Sequence, residues 1–559
     1  MSRSQPATQH TPVAIVGGGP VGLMLAMFLD FHGVACTVFN TETTVRPHPK
    51  GSTQNSRTME HYRRLGFAQR IRELGLPPDH PTDVAYFTRF SGWELARLPM
   101  PSETEKRRRV HSSSALEQVP EPTHRANQMY VERILLEEAA ARPRIDLRFG
   151  VQVEGLCQDE EGVTLSTVET NGGQATPWRA SYVVGCDGGR SLVRKTLGIS
   201  YEGFENLQQA FFGGRMISTY LRAPTLYRDF LGHRRAWQYW IVNPQIRTAL
   251  VALNGTDEFL LWTRDERPDA PIDAGDIAAA LRACAGADLP VEIMAHGRWT
   301  AGVALVAENF ADRRVFLAGD SAHLFTPTGG FGMNTGVDDA ANLAWKLAAA
   351  VQGWAGNGLL ASYELERKPI ARRNTGAARE LARSVGMVPV PPELEQNDET
   401  GAKARADTGA FLGTFGEEYA SLGVQLGARY DGSPIVATDG PSPADDPARY
   451  VPTSLPGGRA PHFWIDAGRG MGSSLFDRLG KGYTLLCFRE PGGDAAALQA
   501  AARKRGVPLA VLPVAQDQAR DLYGTDQVLI RPDQHIAWRG DTIPTDADGL
   551  LAKVTGANR

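Results

Sequence analysis

The sequence predicts an α/β chain (α+β overall) built around a Rossmann-like nucleotide-binding domain, and three strand-to-loop motifs predict it. The first is Gly17-Gly18-Gly19-Pro20-Val21-Gly22, directly after the apolar run Val13-Ala14-Ile15-Val16. The second is Gly185-Cys186-Asp187-Gly188, after Tyr182-Val183-Val184. The third is Ala318-Gly319-Asp320-Ser321-Ala322-His323, after Val315-Phe316-Leu317, and it runs on to Pro327-Thr328-Gly329-Gly330-Phe331-Gly332-Met333-Asn334.

In the first motif Gly17, Gly19 and Gly22 form G-x-G-x-x-G between a predicted strand and a predicted helix. The first glycine permits the tight turn, the second lets backbone approach a pyrophosphate, and the third lets helix and strand pack closely. Pro20 lies inside this turn. Leu23, Met24, Met27 and Phe28 give the helix an apolar i, i+3, i+4 stripe. Its N-terminus offers free N–H groups and the positive end of a dipole to phosphate. The second strand is Ala35-Cys36-Thr37-Val38-Phe39. A nucleotide-binding domain usually places an acidic residue at its end for ribose hydroxyls. Here Asn40 stands there, and an amide can still accept from one hydroxyl and donate to another group.

Taken in order, the three motifs resemble the flavoprotein aromatic hydroxylases, single-component monooxygenases built like p-hydroxybenzoate hydroxylase. The resemblance implies that all three motifs serve one FAD. It carries over to His48-Pro49-Lys50 and Asn55-Ser56-Arg57-Thr58-Met59-Glu60, which match the segment passing under the flavin, with Arg57 opening the next helix. Arg46 and Lys50 are nearby cations, and Gln128 matches a glutamine that contacts the diphosphate or ribityl region. The Asp187-Gly188 turn serves the FAD pyrophosphate and an arriving nicotinamide, with Arg190 and Arg194 just after it. Asp320 accepts from ribityl hydroxyls. Pro327 stiffens its loop by removing an N–H and is counted with the catalytic residues. Gly329, Gly330 and Gly332 let backbone N–H groups face the flavin ring. Met333 and Asn334 stand where a helix starts, near Asn334, with its N-terminus toward the pyrimidine edge.

The 559 residues are enough for two or three domains, and 42% hydrophobic with 22% charged residues is an ordinary globular composition. A net charge of -4 gives no reason to invoke nucleic acid or an anionic membrane. Cys36, Cys157, Cys186, Cys284 and Cys487 form no C-x-x-C, which fits reduced thiols and a cytoplasmic location. No metal site is expected. No run of 18 uncharged apolar residues suggests a membrane span.

The motifs place the FAD-binding domain in segments 1–85, 105–200 and 300–385. Segments 86–104 and 201–299 are expected to form a mixed-sheet substrate domain that roofs the flavin, with Val84–Thr88 and Trp237–Val242 as strands. A connector rich in Gly, Asp and Pro follows over 386–455. In 456–559, Tyr483–Phe488, an Ala-rich helix near 495–505, Leu509–Leu512 and Val528–Pro532 run in β-α-β-type order. This region resembles the thioredoxin-like C-terminal domain of phenol and chlorophenol hydroxylases and the related indolocarbazole-pathway flavoenzymes. Cys487 stands alone in it, so a structural role is expected.

The chemistry the resemblance implies is hydroxylation of a phenolic or related aromatic compound. NADH or NADPH reduces FAD, and O₂ then gives a flavin hydroperoxide that transfers one oxygen to the ring. The expected partner is a small aromatic molecule, and the expected assembly a homodimer. A phenol needs a group to take its proton; related enzymes carry an Asp just before the matching arginine, but Ser52-Thr53-Gln54-Asn55 has no carboxylate. His48, Tyr239 or a water could serve. Tyr239, Trp237 and Gln238 are the candidate substrate contacts, with Trp237 and Tyr239 expected on one strand face and Gln238 and Trp240 on the other. Two alternatives stand beside this reading: another flavin oxidation, Baeyer–Villiger or decarboxylative, on a polycyclic metabolite, and a non-catalytic flavin-binding homologue.

Overall fold

A computed structural model describes residues 7–557 apart from 174, 206–214, 268, 301–302, 387 and 420. The N-terminal sheet centres on five parallel strands in the order Val315–Leu317, Thr176–Gly185, Gln9–Val16, Cys36–Asn40 and Ile145–Phe149. All three sequence motifs leave the carboxyl ends of neighbouring strands in this sheet, which is why segments far apart in the chain converge. Val13, Ile15, Val183, Val184 and Leu317 are fully buried, as strands covered on both faces require. Helix Pro20–Phe31 starts with Pro20 at its first position, where a missing N–H costs nothing. The 21-residue helix Phe331–Val351 begins three residues before the expected Asn334.

The second sheet has seven strands in the order Glu292–Thr300, Arg215–Arg222, Glu258–Arg264, Arg247–Ala252, Gln238–Val242, Val84–Phe87 and Glu94–Leu98. Val84–Phe87 pairs parallel with Gln238–Val242, so the early insertion and the later one join in one sheet. The stretch expected as a connector folds in part: helix Glu399–Gly413 packs beside Glu94–Leu98, with the Gly409 backbone against the Leu95 carbonyl. The C-terminal sheet has the order Leu509–Pro513, Tyr483–Cys487, Gln527–Ile530 and Ile536–Gly540, the first pair parallel and the rest antiparallel. With helix Gly493–Arg505 crossing between the parallel strands, this is a thioredoxin-like arrangement. Among the described residues no helix is long and apolar enough to cross a membrane.

Candidate active site

A cavity of about 1110 Å³ is lined from both large sheets. Gly17, Gly19, Pro20 and Asn40 form one end of its wall, and Gly332, Met333 and Asn334 line it too. A Cβ at Gly22 would run into the Gly17 carbonyl, so the third glycine is required by packing. A Cβ at Gly19 would meet nothing within 4 Å. The second glycine therefore leaves an open approach, and the free N–H groups of helix Pro20–Phe31 face it. Asn40 braces this loop: its Oδ1 accepts from the Gly18 N–H at 3.1 Å and its Nδ2 donates to the Glu42 carbonyl at 3.0 Å.

Asp320 is enclosed by protein yet open into the cavity, and among the described residues nothing donates to its carboxylate. Burial pushes its carboxyl up, with Lys50 and His323 pulling the other way. Asp187 also lines the cavity but turns back, accepting from Ser191 Oγ at 2.5 Å, Leu192 N at 2.7 Å and Val193 N at 3.1 Å. Gln128 donates to Glu132 Oε1 at 2.5 Å, and both line the wall. Asn334 ties the loops together: Oδ1 accepts from Asn55 N at 3.0 Å, while Nδ2 donates to Thr53 O at 3.0 Å and Gly330 O at 2.7 Å. A phosphate-ready glycine loop and an unpaired carboxylate open to a cavity of this size fit FAD.

A second cavity of about 410 Å³ adjoins the first. Gly51, Thr53, Trp262, Pro327 and Gly330 line both, so the loop carrying Pro327 and Gly330 stands at their junction. Trp237, Trp240, Trp262 and Tyr419 form the smaller cavity's aromatic wall, with the Gln238 amide among them. Tyr419 Oη donates to Gln238 Oε1 at 3.3 Å, and its ring meets Trp237 edge-on at 6.3 Å.

Three expectations are corrected. Tyr239 lines neither cavity. The ladder begins at Gln238, so Gln238 and Trp240 share the cavity face and Tyr239 points to the opposite one, between Phe87 and Phe90. Trp237 precedes the ladder and escapes its alternation, which is how it reaches the cavity beside Gln238. The Tyr239 hydroxyl accepts from Ala236 N at 2.7 Å, and burial pushes its phenol well up, so it is no proton acceptor. Arg57 also turns away. It is buried in ion pairs with Glu60 at 2.9 Å and Asp338 at 3.4 Å, and donates to Gln534 Oε1 at 2.7 Å; its neighbour Ser56 takes the cavity side. Arg194 is held by the Ile199 carbonyl at 2.6 Å and lies over the Tyr201 ring rather than beside a phosphate site. His48 lines only the larger cavity, its Nε2 3.2 Å from Ser218 Oγ, and burial together with Lys50 and His296 lowers its pKa.

Sequence reasoning missed Lys106, Arg125, Tyr419 and Gln425 in the smaller cavity. Arg125 is two residues before the Asn127-Gln128 pair and could have been found from it. Tyr419 and Gln425 lie in the presumed connector, where no local pattern marks them.

A flavin-sized cavity opening onto an aromatic-walled pocket defines a flavin-dependent oxidoreductase. The chain matches the FAD binding domain family over residues 10–378 and the family "aromatic-ring hydroxylase, C-terminal" over 453–557. It is 33% identical to the FAD-dependent monooxygenase apdD of Emericella nidulans, over 99% of this chain and 92% of that one. It is also 33% identical to the tetracenomycin A2 monooxygenase-dioxygenase of Streptomyces glaucescens, covering 98% and 96%. Among solved structures it resembles the rebeccamycin biosynthetic enzyme RebC with reduced flavin, with a TM-score of 0.87 and 34% identity over 99% of this chain and 100% of that one. The chain belongs to the FAD-dependent aromatic-ring hydroxylase family. It is a flavoprotein monooxygenase that uses FAD, a reduced nicotinamide cofactor and O₂.

Proposed function

We propose that the smaller cavity holds a polycyclic phenolic substrate and that the enzyme adds one oxygen to a ring carbon ortho or para to a hydroxyl. The observation that carries this reading is the junction of the two cavities at Thr53, Pro327 and Gly330, where a ring in the smaller cavity would meet a flavin in the larger. Likeness to the tetracenomycin A2 monooxygenase-dioxygenase supports oxygenation, and the three tryptophans of the cavity wall support a system of more than one ring. Gly17, Gly19, Pro20 and the helix N-terminus would take the pyrophosphate. Asp320 and Gln128 would take ribityl hydroxyls, and Gly332, Met333 and Asn334 would hold the ring edge. Bound FAD supplies the electron transfer and oxygen activation. The chain's own task is to position the substrate, exclude water with Trp237, Trp240 and Trp262, and let the phenolic proton pass to a water, since His48 lines only the larger cavity. We place the work in the cytoplasm, in a homodimer, as the free thiols and the family resemblance suggest.

The test is turnover of a polycyclic phenol panel with NAD(P)H and ¹⁸O₂. A product heavier by one labelled oxygen, with its rings intact, is expected. Oxygen drawn from water, or no phenol that stimulates NAD(P)H oxidation, refutes the hydroxylase reading. A second reading, a different oxygen insertion into a polycyclic metabolite, has support in the name "monooxygenase-dioxygenase" of that relative; two labelled atoms or a broken ring would favour it.

A further inference from the structure

The smaller cavity is aromatic on one side and cationic on the other. Lys106, on helix Glu103–Ser112, lines it, as does Arg125; Arg109, exposed, lines it one helical turn after Lys106. The helix is pinned by a capping box in which Ser102 and Glu105 satisfy each other's backbone N–H groups, so the position of Lys106 is fixed. Lys106 is 9% exposed. Its Nζ donates to the Thr123 carbonyl at 2.9 Å, and no described carboxylate lies within ion-pair distance of it. Glu103 is the nearest acid on the same helix, but Arg72 at 2.9 Å, His124 at 3.1 Å and Arg107 at 3.2 Å already occupy it. Among the described residues the cavity wall carries one carboxylate, Glu117, whose Oε1 accepts from Val119 N at 2.9 Å. The Arg125 guanidinium lies over the Trp237 ring, 3.9 Å from its centroid, and donates to Thr53 Oγ1 at 2.5 Å, next to the Gly330 turn.

A buried ammonium beside a buried guanidinium is costly, because both lose hydration and repel each other. Burial, then Arg125, pulls the Lys106 amine down to about 7. A structural lysine needing only to reach a carbonyl would not require a second cation on the same wall. We propose that this wall is an anion subsite, and that the aromatic substrate carries an acidic oxygen group, a carboxylate or an ionised phenol, that docks on Lys106 and Arg125. The aromatic wall of Trp237, Trp240 and Trp262 would hold the ring system while the two cations fix its in-plane orientation, and so which ring carbon faces the junction with the larger cavity. This inference rests on the reading of the smaller cavity as the substrate pocket.

The test uses FAD-loaded enzyme and follows ligand binding by the change in flavin absorbance, with three probes: a hydroxynaphthoate, its neutral hydroxynaphthamide, and naphthol. Hydroxynaphthoate is expected to bind at least ten-fold more tightly than the amide. Naphthol whose affinity is greatest between about pH 7, where the Lys106 amine titrates, and its own pKa would assign the subsite to phenolate, and naphthol that stays weak throughout would assign it to carboxylate. Lys106→Met and Arg125→Met should each weaken hydroxynaphthoate roughly ten- to hundred-fold, the scale of a charged hydrogen bond, and move the amide by less than about three-fold. Lys106→Arg keeps the charge and should keep the preference, which covers the case in which the Met variant folds poorly. Equal binding of acid and amide, equal loss for both in the variants, or no binding of any probe overturns the anion subsite. Tight acid-selective binding without stimulated NAD(P)H oxidation would instead count against the hydroxylase reading and leave the subsite standing.

Discussion

Asp320 and Tyr239 show how much one side chain's direction decides. Asp320 faces a cavity with no donor from the described protein, so its role is to wait for one. Asp320→Ala should lower FAD affinity about ten- to hundred-fold, equivalent to roughly 1.5–3 kcal/mol for a charged hydrogen bond. Flavin retained at full occupancy after dialysis would refute this placement. The strand at Gln238–Val242 gives the contrasting case. Tyr239→Phe should leave coupling intact and cost about 1–3 kcal/mol of stability, because the Ala236 N–H loses its buried acceptor. Trp240→Ala should raise hydrogen peroxide release, since it opens the wall that excludes water. Measuring peroxide per NAD(P)H consumed separates the two variants. The sequence made the strand legible but not its facing: with period 2, a one-residue uncertainty exchanges cavity and core, and nothing in Trp237-Gln238-Tyr239-Trp240 marks where the ladder begins.

At the scale of elements, the strand-to-loop motifs were readable because their constraints are local. A glycine required by its own loop leaves a mark in the sequence whatever the rest of the chain does. The second and third glycines of the first motif nevertheless divide the labour. Gly22→Ala should destabilise the apo protein and abolish FAD binding together, because its Cβ collides with the Gly17 carbonyl. Gly19→Val should leave the apo melting temperature within a degree or two, since its side chain enters open space, and still strip FAD. A Gly19→Val protein that keeps its flavin would put the pyrophosphate elsewhere. Other elements were not legible. Helix Glu399–Gly413 is hidden by the composition around it, and so are Tyr419, Ser421, Leu422 and Gln425, which follow it and line the smaller cavity. The true helix start at Phe331 was missed because Gly330, in the left-handed region at φ 67°, caps it where the glycine-rich sequence suggested continuing loop.

Across the whole molecule, buried charge joins the C-terminal sheet to the nucleotide-binding helices. Arg531 grips Glu366 at 2.6 and 2.8 Å, Glu366 holds Lys346 at 2.6 Å, and Arg459 pairs with Glu60, which also binds Arg57 at 2.9 Å. This explains why Arg57 was misread from sequence: its partners at 533 and 534 lie at the far end of the chain. Such pairs add little over apolar packing, but removing one member strands the others without compensation, at a cost of about 3–5 kcal/mol. Glu366→Gln should therefore lower unfolding stability by that order at pH 7, since it leaves Lys346 and Arg531 facing a neutral amide. The effect carries a pH signature. Burial pushes the Glu366 carboxyl up, yet Arg531 and Lys346 outweigh it and hold it down at about 2. A carboxyl lower in the folded than in the unfolded chain stabilises fully above its unfolded value of about 4.3, and this is lost as pH falls toward 2. The gap between wild type and Glu366→Gln in urea unfolding should thus be constant from pH 6 to 7 and shrink steadily below pH 4. A gap that stays level down to pH 3 would mean that Glu366 is not the ionised centre of this junction, and that the C-terminal sheet is held by its apolar contacts with Trp345 and Leu359 instead.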